Sequence, residues 1–211
     1  MKKIILGVFT LVFVICATAC SSSNSSSKTT SSSSNLVEET TETVDTMEVK
    51  DGPLTKIGQW TVDDNFGKIE LLKITSNPQS LTLTDGLVVT INDMKLFNAS
   101  NMNESATTVL GTNKKSGNYI QITASVKNDT DNEYKSIFPE TIILSDGTQI
   151  KHSLVLTSST DVKPRAKNDE LLFFYFLDEK TTDSVKLYFD SVADERGWSF
   201  GDIKGEITIL F

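Results

Sequence analysis

Residues 119–127 impose the strongest constraint on how this chain folds, because apolar and polar side chains alternate there without interruption. In an extended chain Ile120, Ile122 and Val126 share one face, and the polar residues between them share the other. This two-residue period is typical of a β-strand with one buried face and does not fit a helix. The segment therefore predicts a half-buried strand.

Shorter strand patterns recur along the chain and are separated by turn sequences. Asp, Asn and Gly residues at 63–67 and 145–147 are typical of hairpin turns. No segment has a long helical period, so the sequence predicts an all-β sandwich or barrel. The other predicted strands are residues 56–62, 68–75, 81–84, 87–97, 141–144, 148–151, 170–177, 185–189 and 206–211.

Residues 98–118 break this pattern with a run of mostly Asn, Ser, Thr, Gly and Lys. Connections of this length are uncommon unless they are functional or mobile. We expect a long loop here, with at most a short turn of structure at residues 107–110. The loop is a candidate binding surface.

Two segments precede the predicted strands. Residues 1–19 begin with two lysines and continue as an apolar run of signal-peptide length, too short for a comfortable membrane span. Residues 20–52 are rich in Ser and Thr and then acidic, so they cannot bury apolar surface and are predicted to form a disordered tether. The folded domain is expected at residues 53–211.

The apolar run ends in Ala17, Thr18, Ala19 and Cys20, which resembles the lipobox of bacterial lipoproteins, although Ala17 stands where that family usually has Leu. In the family the cysteine is diacylated and becomes the new N-terminus. The resemblance implies that Cys20 carries lipid. It also implies that the protein is held on the outer face of the plasma membrane, in or beneath the cell wall.

Charge and cysteine content disfavour several classes of function. The formal net charge is −8 and becomes more negative once Lys2 and Lys3 are removed, which argues against nucleic acid and anionic lipid as partners. Cys16 lies in the removed segment and Cys20 is the lipidation site. No thiol then remains for a disulfide, a metal or catalysis, and no cofactor is expected.

The order of features between residues 86 and 190 adds a second resemblance. An alternating strand ends at 126–130, a strand pair and a basic loop at 163–167 follow, and an aromatic strand comes after them at 171–176. This order is similar to immunoglobulin-like domains of Gram-positive lipoproteins of unknown function, whose fold is similar to that of a mycobacterial secreted immunoprotective antigen. Such domains often have Pro-Gly where this chain has Pro164 and Arg165. The resemblance implies an immunoglobulin-like antiparallel β-sandwich and no established activity.

Two features suggest chemistry but have simpler structural explanations. His152 is the only histidine and lacks the residue spacing of a catalytic triad or metal site, so we expect a packed or edge position. Asp129, Asp131 and Glu133 have the spacing of calcium ligands, but the Gly and the final acidic residue of an EF-hand loop are missing. The sequence therefore predicts no catalytic residue and no metal site.

Trp198 and Phe200 lie in a glycine-flanked segment just before the last strand. Exposed aromatic residues in such a setting can anchor a partner or stack on sugar. The alternative is that the pair caps one end of the sandwich. These two residues are the partner-binding site predicted from the sequence.

Together the features predict a membrane-anchored, non-catalytic binding or interaction module, with a protein or cell-wall partner. Two alternatives remain open. A small-ligand carrier needs a pocket of roughly 300 Å³ or more between its sheets. A lipid-anchored enzyme acting on the wall needs distant Asp and Glu residues to meet in one cleft.

Overall fold

The computed structural model describes residues 47–151, 154–155, 160–190, 192–194, 196 and 203–211. No helix in these ranges is long and apolar enough to cross a membrane. Within these ranges one short helix, α1 (Glu104–Val109), lies between the fourth and fifth strands. The strands of the described residues are β1 (Trp60–Asp63), β2 (Gly67–Thr75), β3 (Gln79–Thr84), β4 (Leu87–Ser100), β5 (Ser116–Asn128), β6 (Thr141–Leu144), β7 (Gln149–Lys151), β8 (Leu154–Val155), β9 (Lys167–Asp178), β10 (Ser184–Phe189) and β11 (Gly205–Leu210).

These strands form two antiparallel sheets. The large sheet has the order β1-β2-β4-β5-β9-β8, with β3 also paired to β4, and the small sheet has the order β11-β10-β6-β7. Strands β4, β5, β9 and β8 take the places of A, B, E and D in an immunoglobulin domain, and the small sheet takes those of G, F, C and C′. The prediction of an all-β, immunoglobulin-like antiparallel sandwich is confirmed.

Buried apolar side chains fill the space between the two sheets and form the main core. Ile120 and Ile122 of β5 are completely buried there, as their alternation predicts. Strand β9 adds Phe173 and Tyr175, and the Tyr175 hydroxyl donates a hydrogen bond to the backbone oxygen of Pro139. Burial of each large apolar side chain contributes about 1.5–3 kcal/mol, so this core is the main source of stability.

Strands β1, β2 and β3 are additions to the immunoglobulin pattern. Strand β4 is long enough to pair with both neighbours, with β3 along its first half and with β2 along its second half. A bulge between Ile91 and Asp93 separates the two halves in the pairing with β5. The large sheet is therefore wider than the small sheet on the side of β1 and β2.

A second apolar cluster lies on the opposite face of the large sheet. Tyr119 stacks on Phe97 with ring centroids 5.2 Å apart, and its ring lies 5.5 Å from that of Phe66. Burial raises the pKa of the Tyr119 phenol. Leu54, from the segment before β1, packs on the same cluster. The large sheet therefore buries both of its faces over this region.

The prediction of a long polar loop over residues 98–118 is wrong for most of its length. The two ends of this stretch belong to β4 and β5, and α1 occupies its middle. Met102, Ala106 and Leu110 have exposures of 1% or less and pack in the second cluster. The connection is ordered because its few apolar residues all face the sheet.

Ordered structure also begins before residue 53, where the composition predicts the start of the domain. The Val49 amide donates to the Trp60 oxygen at 2.8 Å, and the Trp60 amide donates to the Met47 oxygen at 3.0 Å. Residues 47–49 therefore run parallel to the start of β1. Backbone hydrogen bonds do not depend on side-chain composition, so an acidic sequence gives no sign of them.

Candidate binding face

The functional residues predicted from the sequence fall largely outside the described part of the chain. Cys20, His152, Trp198 and Phe200 all lie in ranges that the structure does not describe. The predicted lipidation site, the packed histidine and the aromatic partner site therefore remain predictions.

The acidic residues with calcium-like spacing are each paired with a cation. Lys127 lies 2.7 Å from Asp129, and Arg165 lies 3.0 Å from Asp131. The Glu133 carboxylate accepts a hydrogen bond from Lys163 at 2.7 Å. Two basic residues of the loop before β9 thus neutralise the loop after β5. Within the described ranges no group of three or more His, Cys, Asp or Glu is placed to hold a metal ion.

The most elaborate surface in the described residues lies at the other end of the sandwich, where the large sheet extends past the main core. Leu96 and Ile120 are the last main-core residues at this end of β4 and β5. The next residues on the same face, two positions along each strand, are Asn98 and Asn118. The change from apolar to amide side chains marks the end of the main core on these two strands.

We call this surface the overhang face. It consists of two cross-strand rows, which share one side of the sheet because residues directly opposite in antiparallel strands point the same way. Partners in register make up the first row: Trp60, Glu70, Asn98, Asn118 and Asp178. Partners in register also make up the second row: Val62, Lys68, Ser100 and Ser116.

Side-chain contacts support this placement. The Asn98 amide donates to the side-chain oxygen of Asn118 at 2.8 Å, and the Lys68 ammonium lies 4.5 Å from the centroid of the Trp60 ring. The second apolar cluster is formed by residues such as Leu71 that alternate with these, on the reverse side of the same strands. The same strand ends therefore bury one face in the second cluster, while the other face ranges from exposed at Val62 and Lys68 to buried at Asn118.

A surface cleft of about 630 Å³ forms the end of the overhang face nearest β9. The Asn118 amide donates to the Lys180 backbone oxygen at 2.9 Å, which fixes the connection after β9 against β5. Lys114 reaches both carboxylate oxygens of Asp178 at 2.6 Å. This hydrogen bond raises the pKa of Lys114, which favours the charged ammonium that binds Asp178. These hydrogen bonds thus hold the wall of the cleft in place.

Gly117 is required at the floor of this cleft. Its φ is +151°, and a Cβ atom there would lie 2.7 Å from the Phe176 ring and 3.0 Å from the Asp178 backbone oxygen. Both distances are shorter than a normal carbon contact, so a larger residue would displace β9 from β5. The close approach of these strands sets the position of Asp178.

A second cleft of about 480 Å³ lies beside the first and is lined mainly by polar residues of the β4–β5 connection. Lys115 lines both clefts. It forms no ion pair in the part of the chain that the structure describes, whereas its neighbour Lys114 is bound to Asp178. Hydroxyl and amide groups of Thr107, Thr108, Thr112 and Asn113 line the second cleft.

The side chain of Asn103 anchors the β4–β5 connection. The Asn103 side-chain oxygen accepts hydrogen bonds from the amides of Ser105 and Ala106 and caps α1. The side-chain nitrogen of Asn103 donates to the Asp64 backbone oxygen and to the Asn65 side chain, both in the β1–β2 turn. One residue thus ties α1 to the turn at the edge of the overhang face.

Charges on this surface are balanced. Lys68, Lys114 and Lys115 supply three cations, and Glu70, Asp178 and Glu179 supply three anions. The face is therefore locally neutral in a chain whose net charge is −8.

Acidic residues line each of the clefts in the described part of the chain. Asp178 and Glu179 line the large cleft, but the Asp178 carboxylate is already engaged with Lys114. A further cleft of about 390 Å³ is lined by three carboxylates, Asp161, Asp169 and Glu170, and Asp169 forms an ion pair with Lys167. The Asp161 carboxylate accepts a hydrogen bond from the Ser136 amide.

Neither a protein-family model nor a curated protein matches this chain. Among solved structures, it is similar to a functionally unknown protein from Listeria monocytogenes EGD-e. The two have 13% sequence identity and a TM-score of 0.48, and the match covers 68% of this chain and 86% of that chain.

Proposed function

We propose that this protein is a non-catalytic binding module that is anchored by lipid on the outer face of the plasma membrane, and that it holds a component of the cell envelope on the overhang face. The anchor rests on the lipobox resemblance at Cys20. The binding role rests on the overhang face, which is the single observation that carries the proposal.

The overhang face exceeds what the fold needs for stability. An immunoglobulin-type sandwich is complete with the strands that enclose the main core. This chain adds β1 and β2 and buries their reverse side in a second apolar cluster. A rigid scaffold that presents polar and aromatic groups to solvent is the usual basis of a recognition surface.

The two alternative functions receive less support. A carrier needs a cavity between the sheets, but buried side chains such as Ile122, Tyr175 and Leu187 fill that space. The three clefts described above lie on the surface instead. An enzyme needs an available acid–base pair, and in the large cleft Asp178 is bound to Lys114.

Site-specific crosslinking in intact cells tests the binding role. Val62 and Leu210 are matched probes, because both are exposed aliphatic residues, at 68% and 65%, on strands of different sheets. A photoreactive amino acid at Val62 should crosslink the full-length protein to an envelope component, while the same group at Leu210 should not. Equal crosslinking at both positions, or none at Val62, would contradict the proposal.

Replacement of the predicted lipidation site tests the anchor. Two acyl chains give stable membrane attachment where one is marginal. The variant Cys20→Ala should therefore remain unprocessed or leave the membrane fraction, as followed by fractionation and gel mobility. A Cys20→Ala protein that is processed and membrane-bound like the wild type would refute lipidation at this position.

A further inference from the structure

We infer that the overhang face recognises a saccharide chain that lies across the strands, from β1 toward the cleft beside β9. This inference rests on the proposed function and names its ligand class. Four properties of the face support it: its hydrogen-bonding groups, its charge balance, its aromatic edge and its length.

The hydrogen-bonding groups suit a ligand that both donates and accepts. The hydroxyls of Ser100 and Ser116 can do either, and the Glu70 carboxylate accepts. The side-chain amide of Asn98 donates one of its two hydrogens to the side-chain oxygen of Asn118. Its second hydrogen and its oxygen have no hydrogen bond in the described part of the chain. Sugar hydroxyls offer the same mixture of donors and acceptors.

The charge balance favours a neutral ligand over an anionic polymer. A polyanion would meet the cations Lys68 and Lys115 but would also lie against Glu70, Asp178 and Glu179. The overall charge of −8 adds long-range repulsion. A neutral saccharide chain meets no such penalty.

The aromatic edge supplies an apolar platform. Trp60 is partly exposed on strand β1, and exposed Val62 lies two residues further on the same face. Lys68 is exposed above the Trp60 ring, and a cation–π contact of this exposed kind is weak enough to yield to a ligand. The apolar face of a sugar ring can then stack on the indole.

The dimensions of the face suit a chain rather than a single sugar. Five strands from β1 to β9 span four steps of about 4.8 Å, or about 19 Å. The cleft of about 630 Å³ closes the far end and is joined through Lys115 to the cleft of about 480 Å³. An extended ligand can therefore contact Trp60 at one end and Lys115 at the other.

Titration of the full-length protein in detergent tests this inference. The probes are chito-oligosaccharides and cello-oligosaccharides of increasing length, with polyphosphate as the anionic probe. We expect affinity for one oligosaccharide series to rise with chain length. Polyphosphate should bind only weakly, and this binding should weaken further as salt is added. Trp60→Ala should weaken oligosaccharide binding at least about tenfold, since it removes the aromatic ring on which a sugar would stack.

Tyr188→Ala is the matched control. Tyr188 is also a partly exposed aromatic residue beneath a lysine, with Lys186 5.6 Å from its ring centroid, but it lies on the small sheet. This variant should bind like the wild type. Val62→Glu is a second test that does not depend on packing, because Val62 is 68% exposed. It should keep the wild-type melting temperature and lose most oligosaccharide affinity.

Two results would overturn the inference. Tighter binding of polyphosphate than of any oligosaccharide would make the ligand an anionic polymer. Crosslinking at Val62 without oligosaccharide binding would leave the binding module intact and remove the saccharide. Loss of the Val62 crosslink itself would instead remove the proposed function.

Discussion

At the scale of single residues, the buried amide of Asn128 organises the end of the sandwich opposite the overhang face. Its nitrogen donates to the backbone oxygens of Asn132 at 2.7 Å and Lys163 at 3.0 Å. Its oxygen accepts from the amide and hydroxyl of Thr130. The side chain is completely buried, and its hydrogen bonds offset the cost of burial. One residue therefore joins the loop after β5 to the loop before β9.

Asn128→Ala should lower the free energy of unfolding by roughly 2–4 kcal/mol. Each buried polar group left without a partner costs about 1–3 kcal/mol, and the variant leaves several such groups. Chemical denaturation measures the change. Asn132→Ala is the control, because Asn132 is exposed and contributes only its backbone to the network. If the two variants were equally stable, Asn128 would not have this organising role.

Residue-level features were only partly readable from the sequence. Asp129, Asp131 and Glu133 stand out by their spacing, but the cations that neutralise Asp131 and Glu133 are Arg165 and Lys163, about thirty residues further along the chain. Spacing along one loop carries no information about such distant partners. The calcium hypothesis and the ion-pair explanation therefore become distinguishable only in three dimensions.

At the scale of elements, strands were predicted well because their signal is local. The alternation of residues 119–127 falls within β5, and the continuous apolar run of 170–177 falls within β9. Strand β8 was missed, since a two-residue strand shows no period. The pairing of residues 47–49 with β1 was missed because it involves only backbone groups.

The sequence contains a helical pattern at α1, but the pattern is too short to count as a long helical period. Met102, Ala106 and Leu110 recur at intervals of four, which places them on one side of a helix, and Asn103 is a favoured capping residue. The helix has only six residues, too few for a sustained pattern. Its stability comes from packing on the second cluster rather than from intrinsic propensity.

The overhang face could not be predicted as a surface. The sequence predicted the hairpin that carries Trp60 and Lys68, and alternation indicates which residues share a side. Whether that side is buried depends on how far the small sheet extends, which is a property of the tertiary structure. The sequence instead predicted a partner-binding site at Trp198 and Phe200, which lie outside the described residues.

At the scale of the whole described domain, an immunoglobulin-type sandwich has been widened on one side. The added strands β1 and β2 bury one of their faces in the second cluster, with Leu54 and α1 packed over it. Their other face extends past the main core and presents the overhang face. One side of these strands thus contributes stability, and we propose that the other side is the binding surface.

Hydrogen exchange of the full-length protein, measured with and without isolated cell envelopes, tests this assignment most directly. The account predicts that envelopes slow exchange in β1 and β2 and at residues 114–118, where the overhang face meets the large cleft. Amides of β10 and β11 in the small sheet should exchange at unchanged rates and serve as the internal control. Slower exchange in β10 and β11 with no change at residues 60–63 and 114–118 would contradict the account.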